Sequence, residues 1–186
     1  MSGHSKWSNI KRKKEILDSK KGKVFSKMSR LITVAARQGG GDLSANASLR
    51  MVVDKAKLAK MPKEGIERAI KKGTGTLEGE SYEEVMYEGF GPEGVAFLVK
   101  GITDNTNRTV AEIRTMFDRA GGSLGASGST SYIFADDLEN PSFEIEVDDV
   151  NKAKKVLALI DTLEESDDIQ EVYANLSVPE ELEDQL

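Results

Sequence analysis

The spacing of apolar residues changes character once along this chain, and that change limits the folds open to it. Up to about residue 72 they recur every three to four positions, the period of an amphipathic helix; beyond about residue 84 they alternate or form short runs, as strands do. Between lies Gly73-Thr74-Gly75-Thr76-Leu77-Glu78-Gly79-Glu80, a turn-rich stretch suited to a domain boundary. The pattern predicts a basic helical domain over residues 1–76, opened by a flexible N-terminal arm, and an acidic α/β domain over residues 81–186.

In the first segment Val24, Phe25, Met28, Leu31, Ile32, Ala35 and Ala36 fall on one stripe of a helix from Lys20 to Arg37. Gly39-Gly40-Gly41 ends it, and Lys23, Lys27 and Arg30 are spaced to line another face. Asn46 is positioned to cap a second helix, about Ala47 to Lys60, with Leu49, Val52, Val53, Ala56 and Ala59 inward. Met61-Pro62 breaks it, and Pro62 suits the first turn of a third helix bearing Ile66, Ala69 and Ile70. Lys55, Lys57, Lys60, Lys63, Arg68, Lys71 and Lys72 lie outside this bundle, most of them simply solvated. A helix over Asn9 to Ser19 has only weak amphipathicity.

Beyond the boundary, Glu84–Phe90 and Val95–Ile102 flank Gly91-Pro92-Glu93-Gly94, a hairpin signal. A helix from about Asn107 to Ala120 follows, with Thr109-x-x-Glu112 resembling a capping box. Then come a Gly/Ser loop, strands Thr130–Phe134 and Phe143–Val147, a helix Asp149–Leu163, a strand Ile169–Asn175, and an acidic tail from Pro179. The order β-β-α-β-β-α-β gives an α+β fold whose mixed or antiparallel sheet carries two helices on one face.

Charge divides at the same place. Residues 1–75 carry a net +13 and the remainder a net −19, a contrast hidden by the overall −6. The cations crowd the start: Lys11-Arg12-Lys13-Lys14, then Lys20, Lys21, Lys23 and Lys27, preceded by Gly3-His4-Ser5-Lys6-Trp7. Cations around an aromatic suit a polyanion whose bases stack on the ring. Charge alone also permits a solvated basic terminus. The acidic remainder repels phosphate and would orient the chain basic end first.

Several chemistries lack parts. With no cysteine there is no disulfide or thiolate, which fits a reducing compartment. The single histidine, His4, stands in a terminal tail, so neither a triad nor a histidine metal site can be assembled. Asp136-Asp137, Asp148-Asp149 and Asp167-Asp168 sit at element ends and read as caps and turns. Gly122-Ser123-Leu124-Gly125-Ala126-Ser127-Gly128 has the glycines of a phosphate cradle. It lacks the Lys-Ser/Thr of a Walker loop and any nearby cation, so it reads as a mobile loop. No apolar run approaches a membrane span of about 18 residues, and no secretory signal opens the chain.

Gly3-His4-Ser5-Lys6-Trp7, Thr33-Val34-Ala35-Ala36-Arg37, Met61-Pro62-Lys63 and Ile66-Glu67-Arg68-Ala69-Ile70-Lys71-Lys72-Gly73 together resemble the YebC family. So do Tyr87-Glu88-Gly89-Phe90-Gly91-Pro92, Thr103-Asp104-Asn105, Asn107-Arg108-Thr109 and Gly121-Gly122-Ser123-Leu124-Gly125. The resemblance implies a helical N-terminal domain and α/β domains. It implies a DNA-binding transcriptional regulator, or a translational activator acting on ribosomes. The family places a further α/β domain between the strands matching Thr130–Phe134 and Phe143–Val147. Here only Ala135 to Ser142 joins them, as in a shortened form lacking that insert.

These readings together predict a non-enzymatic, nucleic-acid-binding regulator of gene expression without metal or cofactor. Its binding residues would be Lys6, Trp7, Lys11, Arg12, Lys13, Lys14, Lys20, Lys21, Lys23 and Lys27. The partner would be ribosomal RNA or tRNA, with the ribosome, or DNA, in the cytoplasm and away from membranes. RNA is slightly favoured, since no helix-turn-helix signal is visible. A protein-interaction module whose basic tail meets an acidic partner is the third reading.

Overall fold

The structure, a computed structural model, describes residues 4–6 and 21–186. The weak helical signal over Asn9 to Ser19 lies outside the described residues. The chain forms two units: residues 21–84 with 102–106, and residues 4–6, 85–101 and 107–186.

The first unit holds three helices, α1 (Lys21–Gly39), α2 (Ala47–Leu58) and α3 (Lys63–Gly73). Both α2 and α3 pack chiefly on α1. The predicted stripe does this: Ile32, Ala36, Leu49, Val53, Ala56 and Ala69 are at most 1% exposed. Thr33, also buried, turns its hydroxyl to the Ser29 carbonyl (2.9 Å) and to Ala69 O on α3 (3.2 Å). Gly73 allows this close approach, because a Cβ there would press on the Thr33 carbonyl and stand 2.7 Å from the Ala36 Cβ.

Asn46 ties the unit together. Its Oδ1 accepts the Leu49 N–H at 2.9 Å, capping α2, while its Nδ2 donates to Ala35 O (2.9 Å) and Gly40 O (2.8 Å) at the end of α1. The cap of α2 and the last turn of α1 thus share one side chain. At the other end of α2, Lys60 occupies the left-handed position of a Schellman turn (φ 61°), with Lys60 N–H to Lys57 O and Met61 N–H to Ala56 O.

The second unit is built on β2 (Glu83–Phe90), β3 (Ala96–Thr103), α4 (Thr106–Arg119), β4 (Ser123–Leu124), α5 (Val150–Glu164) and β6 (Ile169–Ala174). The strands lie in the order β4-β2-β3-β6, with β2–β4 and β3–β6 antiparallel. Alternation decides the faces. Phe97 and Val99 of β3 and Val172 and Ala174 of β6 meet Ile113 and Phe117 of α4 and Val156 and Ile160 of α5. Ala96 and Leu98 point the other way, against Ile133 and Phe134. The α+β class with two helices on one face therefore holds.

A second, three-stranded sheet was not anticipated. Its order is β1-β7-β5, with β1 (His4–Lys6) antiparallel and β5 (Ile145–Glu146) parallel to β7 (Leu176–Pro179). Leu176–Pro179, between the last expected strand and the acidic tail, is itself a strand, with Leu176, Ser177 and Val178 all buried. Only a four-residue helix, α6 (Glu180–Glu183), follows. Asn175, wholly buried, makes the switch between sheets: its side-chain oxygen accepts the Ala96 N–H at 2.7 Å.

Candidate nucleic-acid interface

The structure places the predicted binding residues unevenly. Trp7, Lys11, Arg12, Lys13, Lys14 and Lys20 lie outside the described residues. Lys6 ends β1, where its backbone is in register with Ser177, and Lys21 opens α1. Lys23 and Lys27 sit one turn apart on α1, both half-exposed. Arg30, grouped with them by spacing, has a different job. Its guanidinium donates to Ile102 O at 2.7 Å and lies over the Tyr82 ring at 5.1 Å. Arg37, one of the family-like residues, donates to Tyr82 O and Ser81 Oγ, each at 3.0 Å. Nothing in the local sequence distinguishes such an arginine from a surface cation, because its partners are 44 to 72 residues away.

Farther along the unit, Arg50, Lys55, Lys57, Lys60, Lys63, Arg68 and Lys71 are exposed and Lys72 is half-buried. Lys57 faces Asp54 (3.7 Å), Lys63 faces Glu67 (3.6 Å) and Lys72 faces Glu80 (3.4 Å). These are surface pairs of small energetic consequence.

The glycine-rich loop does cradle an anion, and the anion is the chain's own Glu88. This carboxylate is 3% exposed. Its Oε1 accepts the Gly128 N–H at 2.8 Å, and its Oε2 accepts the N–H groups of Thr130 and Ser131, both at 2.7 Å. The Thr130 hydroxyl lies 3.3 Å from the same oxygen and 2.8 Å from Phe97 O. Burial pushes the Glu88 carboxyl up, but the N–H donors of Gly128, Thr130 and Ser131 outweigh it and hold the group below its ordinary value of 4.5.

Two sequence expectations are corrected here. Gly122–Gly128, expected as a mobile loop, is tied to Glu88 through the Gly125 N–H to its carbonyl and the Gly128 N–H to its carboxylate, each at 2.8 Å. Thr130–Phe134 is a 3-10 turn (Ser131–Phe134) where a strand was expected, because the N–H groups of Thr130 and Ser131 are committed to Glu88 and cannot enter a ladder. A charged residue between Tyr87 and Gly89 on the strand face opposite the main core was the available signal.

A second buried carboxylate orders the start of α4. Asp168 is 4% exposed, and its Oδ2 takes both the Arg108 guanidinium and the Thr109 hydroxyl at 2.7 Å. Thr109 is therefore the fourth residue of the helix and bonded to a distant loop, where the sequence suggested a capping box. Asp149 and Asp137 do behave as read: Asp149 Oδ1 accepts Lys152 N–H (3.0 Å), and Asp137 Oδ1 accepts Glu139 N–H (2.8 Å). Asp168 is the exception, and its charge, after burial, also raises the Tyr87 hydroxyl above its ordinary range.

Among the described residues no three His, Asp or Glu side chains are grouped to hold a metal, and no helix is long and apolar enough to cross a membrane. The residues that carried the family resemblance, Thr33, Arg37, Gly73, Glu88, Arg108 and Thr109, thus prove to be ties within the fold. Comparison with known proteins agrees with them. A family model described as TACO1/YebC protein N-terminal domain matches residues 5–76, and one described as TACO1/YebC second and third domain matches residues 82–137.

The chain belongs to the TACO1/YebC family.

Its relatives in the family include a probable transcriptional regulatory protein of Persephonella marina, 41% identical over 245 aligned positions that cover 98% of each chain. Another, of Syntrophus aciditrophicus with the same description, is 42% identical over 248 positions, covering 100% of this chain and 99% of the relative. The crystal structure of a conserved hypothetical protein from Aquifex aeolicus superposes with a TM-score of 0.80 at 37% identity, covering 88% of this chain and 93% of that one. The aligned spans exceed the 186 residues present here, so each of the two relatives carries a segment that this chain lacks. The second family match stops at residue 137, inside the short Ala135–Ser142 link. This member is a shortened form.

Proposed function

We propose that this protein is a non-enzymatic regulator of gene expression that captures nucleic acid through its basic N-terminal region. Lys6, Lys11, Arg12, Lys13, Lys14, Lys20, Lys21, Lys23 and Lys27 supply the charge and Trp7 stacks on a base. The observation that carries the proposal is the division of charge, +13 over residues 1–75 against −19 beyond, in a chain whose family relatives are described as probable transcriptional regulatory proteins. The basic domain spans residues 1–76, with His4–Lys6 paired to β7, and the acidic one residues 81–186, and the protein works in the cytoplasm.

Two targets are open to such an arm. The relatives' descriptions speak for DNA. The dense carboxylates after residue 76 speak for folded RNA, including ribosomal RNA or tRNA. They leave little surface for a straight duplex, whereas a basic arm can thread into a folded RNA and order there. On that ground a translation activator on the ribosome is the slightly preferred form. Sedimentation of lysate through sucrose gradients, with and without nuclease, separates the two, followed by a gel-shift panel of DNA and RNA competitors.

If about six to ten cations meet phosphate, duplex affinity falls about 10³- to 10⁵-fold between 50 and 200 mM salt. Deleting residues 2–14 should collapse affinity while the circular-dichroism spectrum of the helices persists. An affinity that ignores salt, or survives the deletion, overturns the proposal.

A further inference from the structure

Helix α2 carries a line of exposed residues, the large apolar Met51 and Leu58 among them, on the side away from its core. At 3.6 residues per turn, Ala47, Met51, Asp54 and Leu58 fall within an arc of about 60°, opposite the buried Leu49, Val52, Val53 and Ala56. Leu58 is 84% exposed and Met51 is 56% exposed, although a large apolar side chain held in water gains substantially from any cover. Arg50 and Lys57 flank the line on one side and Lys55 on the other, with Lys60 just past its end, all exposed. This arrangement is a seam bordered by cations.

We propose that this face of α2 docks an amphipathic helix whose apolar seam covers Met51 and Leu58 and whose flanks carry Asp or Glu. The helix-in-groove mode needs anchors one and two turns apart, as Ala47, Met51 and Leu58 provide, and complementary charges beside them. Nucleic acid is a poorer occupant. Leucine and methionine offer no flat ring for a base, and the Asp54 carboxylate on the line is answered by Lys57 at 3.7 Å. A second copy meeting the first through this same face would set basic flank against basic flank. The seam is separate from the N-terminal residues assigned to nucleic acid above.

The test uses the full chain and three probes: a synthetic amphipathic peptide with a leucine seam and glutamate flanks, its twin with lysine flanks, and a single-stranded RNA oligonucleotide. Backbone-amide NMR should show the acidic peptide shifting the signals of residues 47–58. Leu58→Ala should weaken that peptide by about 10-fold or more, as loss of an interface anchor does, with an unchanged melting temperature because the side chain is exposed. The double variant Lys55→Glu/Lys57→Glu should exchange the preference to the lysine-flanked twin. The proposal fails if neither peptide moves α2, if Leu58→Ala binds the acidic peptide as before, or if RNA alone shifts these amides. It fails equally if they shift on concentrating the protein by itself.

Discussion

Replacing Glu88 by alanine removes the one acceptor that serves three backbone N–H groups. Those of Gly128, Thr130 and Ser131 are left aimed at an empty space, in a part of the molecule where Thr130 is wholly buried. A hydrogen bond to a charged group contributes about 1.5–3 kcal/mol. Three such bonds would exceed any net effect, because water enters the vacated site and relieves some of the loss. About 3–5 kcal/mol is expected for Glu88→Ala, at the high end for a single substitution.

Glu88→Gln keeps the shape and separates charge from geometry. One oxygen still accepts from Thr130 and Ser131, but the amide NH₂ then faces the Gly128 N–H, donor against donor. About 1.5–3 kcal/mol should be lost. Urea unfolding followed by near-ultraviolet circular dichroism measures both variants. Acetate, a free carboxylate, should stabilise the alanine variant more than the parent, since it can occupy the vacated site only there.

The same group fixes a pH dependence. Its folded pKa lies below the ordinary 4.5, so its stabilisation is fully present above that value and is lost as pH falls through the folded pKa. The parent should lose stability in that acid window, and Glu88→Gln should lose correspondingly less. The reasoning is refuted if Glu88→Ala costs under about 0.5 kcal/mol, the range of an ordinary surface change, or if the acid limb is identical in parent and glutamine variant.

Three further outcomes follow from single sites, each read by chemical denaturation. Arg108→Ala should cost more than Asp168→Asn: the first takes the cation from a carboxylate that is 4% exposed, whereas the second leaves a guanidinium with 41% of its side chain in water, so about 2–4 against about 1–2 kcal/mol. Asn46→Ala removes a helix cap and two bonds to the end of α1, and should destabilise the helical unit by about 2–3 kcal/mol. Lys60→Gly should instead stabilise it, by about 1 kcal/mol, because glycine holds the left-handed conformation at φ 61° without steric cost.

The helical segment was legible almost residue by residue. Its cap at Asn46, its breaker at Pro62 and its stripe through Ile32, Leu49 and Ile66 are local signals, set by neighbours three or four positions apart. The hairpin around Pro92 and the helices Thr106–Arg119 and Val150–Glu164 were legible for the same reason. So was the basic character of the N-terminal region, which is a matter of composition.

Only the tertiary structure decided the rest. A carboxylate at 88 looks solvated until residues 128–131 arrive, 40 positions later, with N–H groups directed at it. Leu176 to Val178 becomes a strand because β1, from residues 4–6, and β5, from residues 145–146, pair with it on either side. Arg30, Thr109 and Asp168 read as surface cation, cap and turn because their true partners lie tens of residues away. Sequence determines where charge and apolar stripes fall. Whether a polar group faces water or another part of the chain is settled when folding brings distant segments together, since an unpaired buried group is too costly to leave standing.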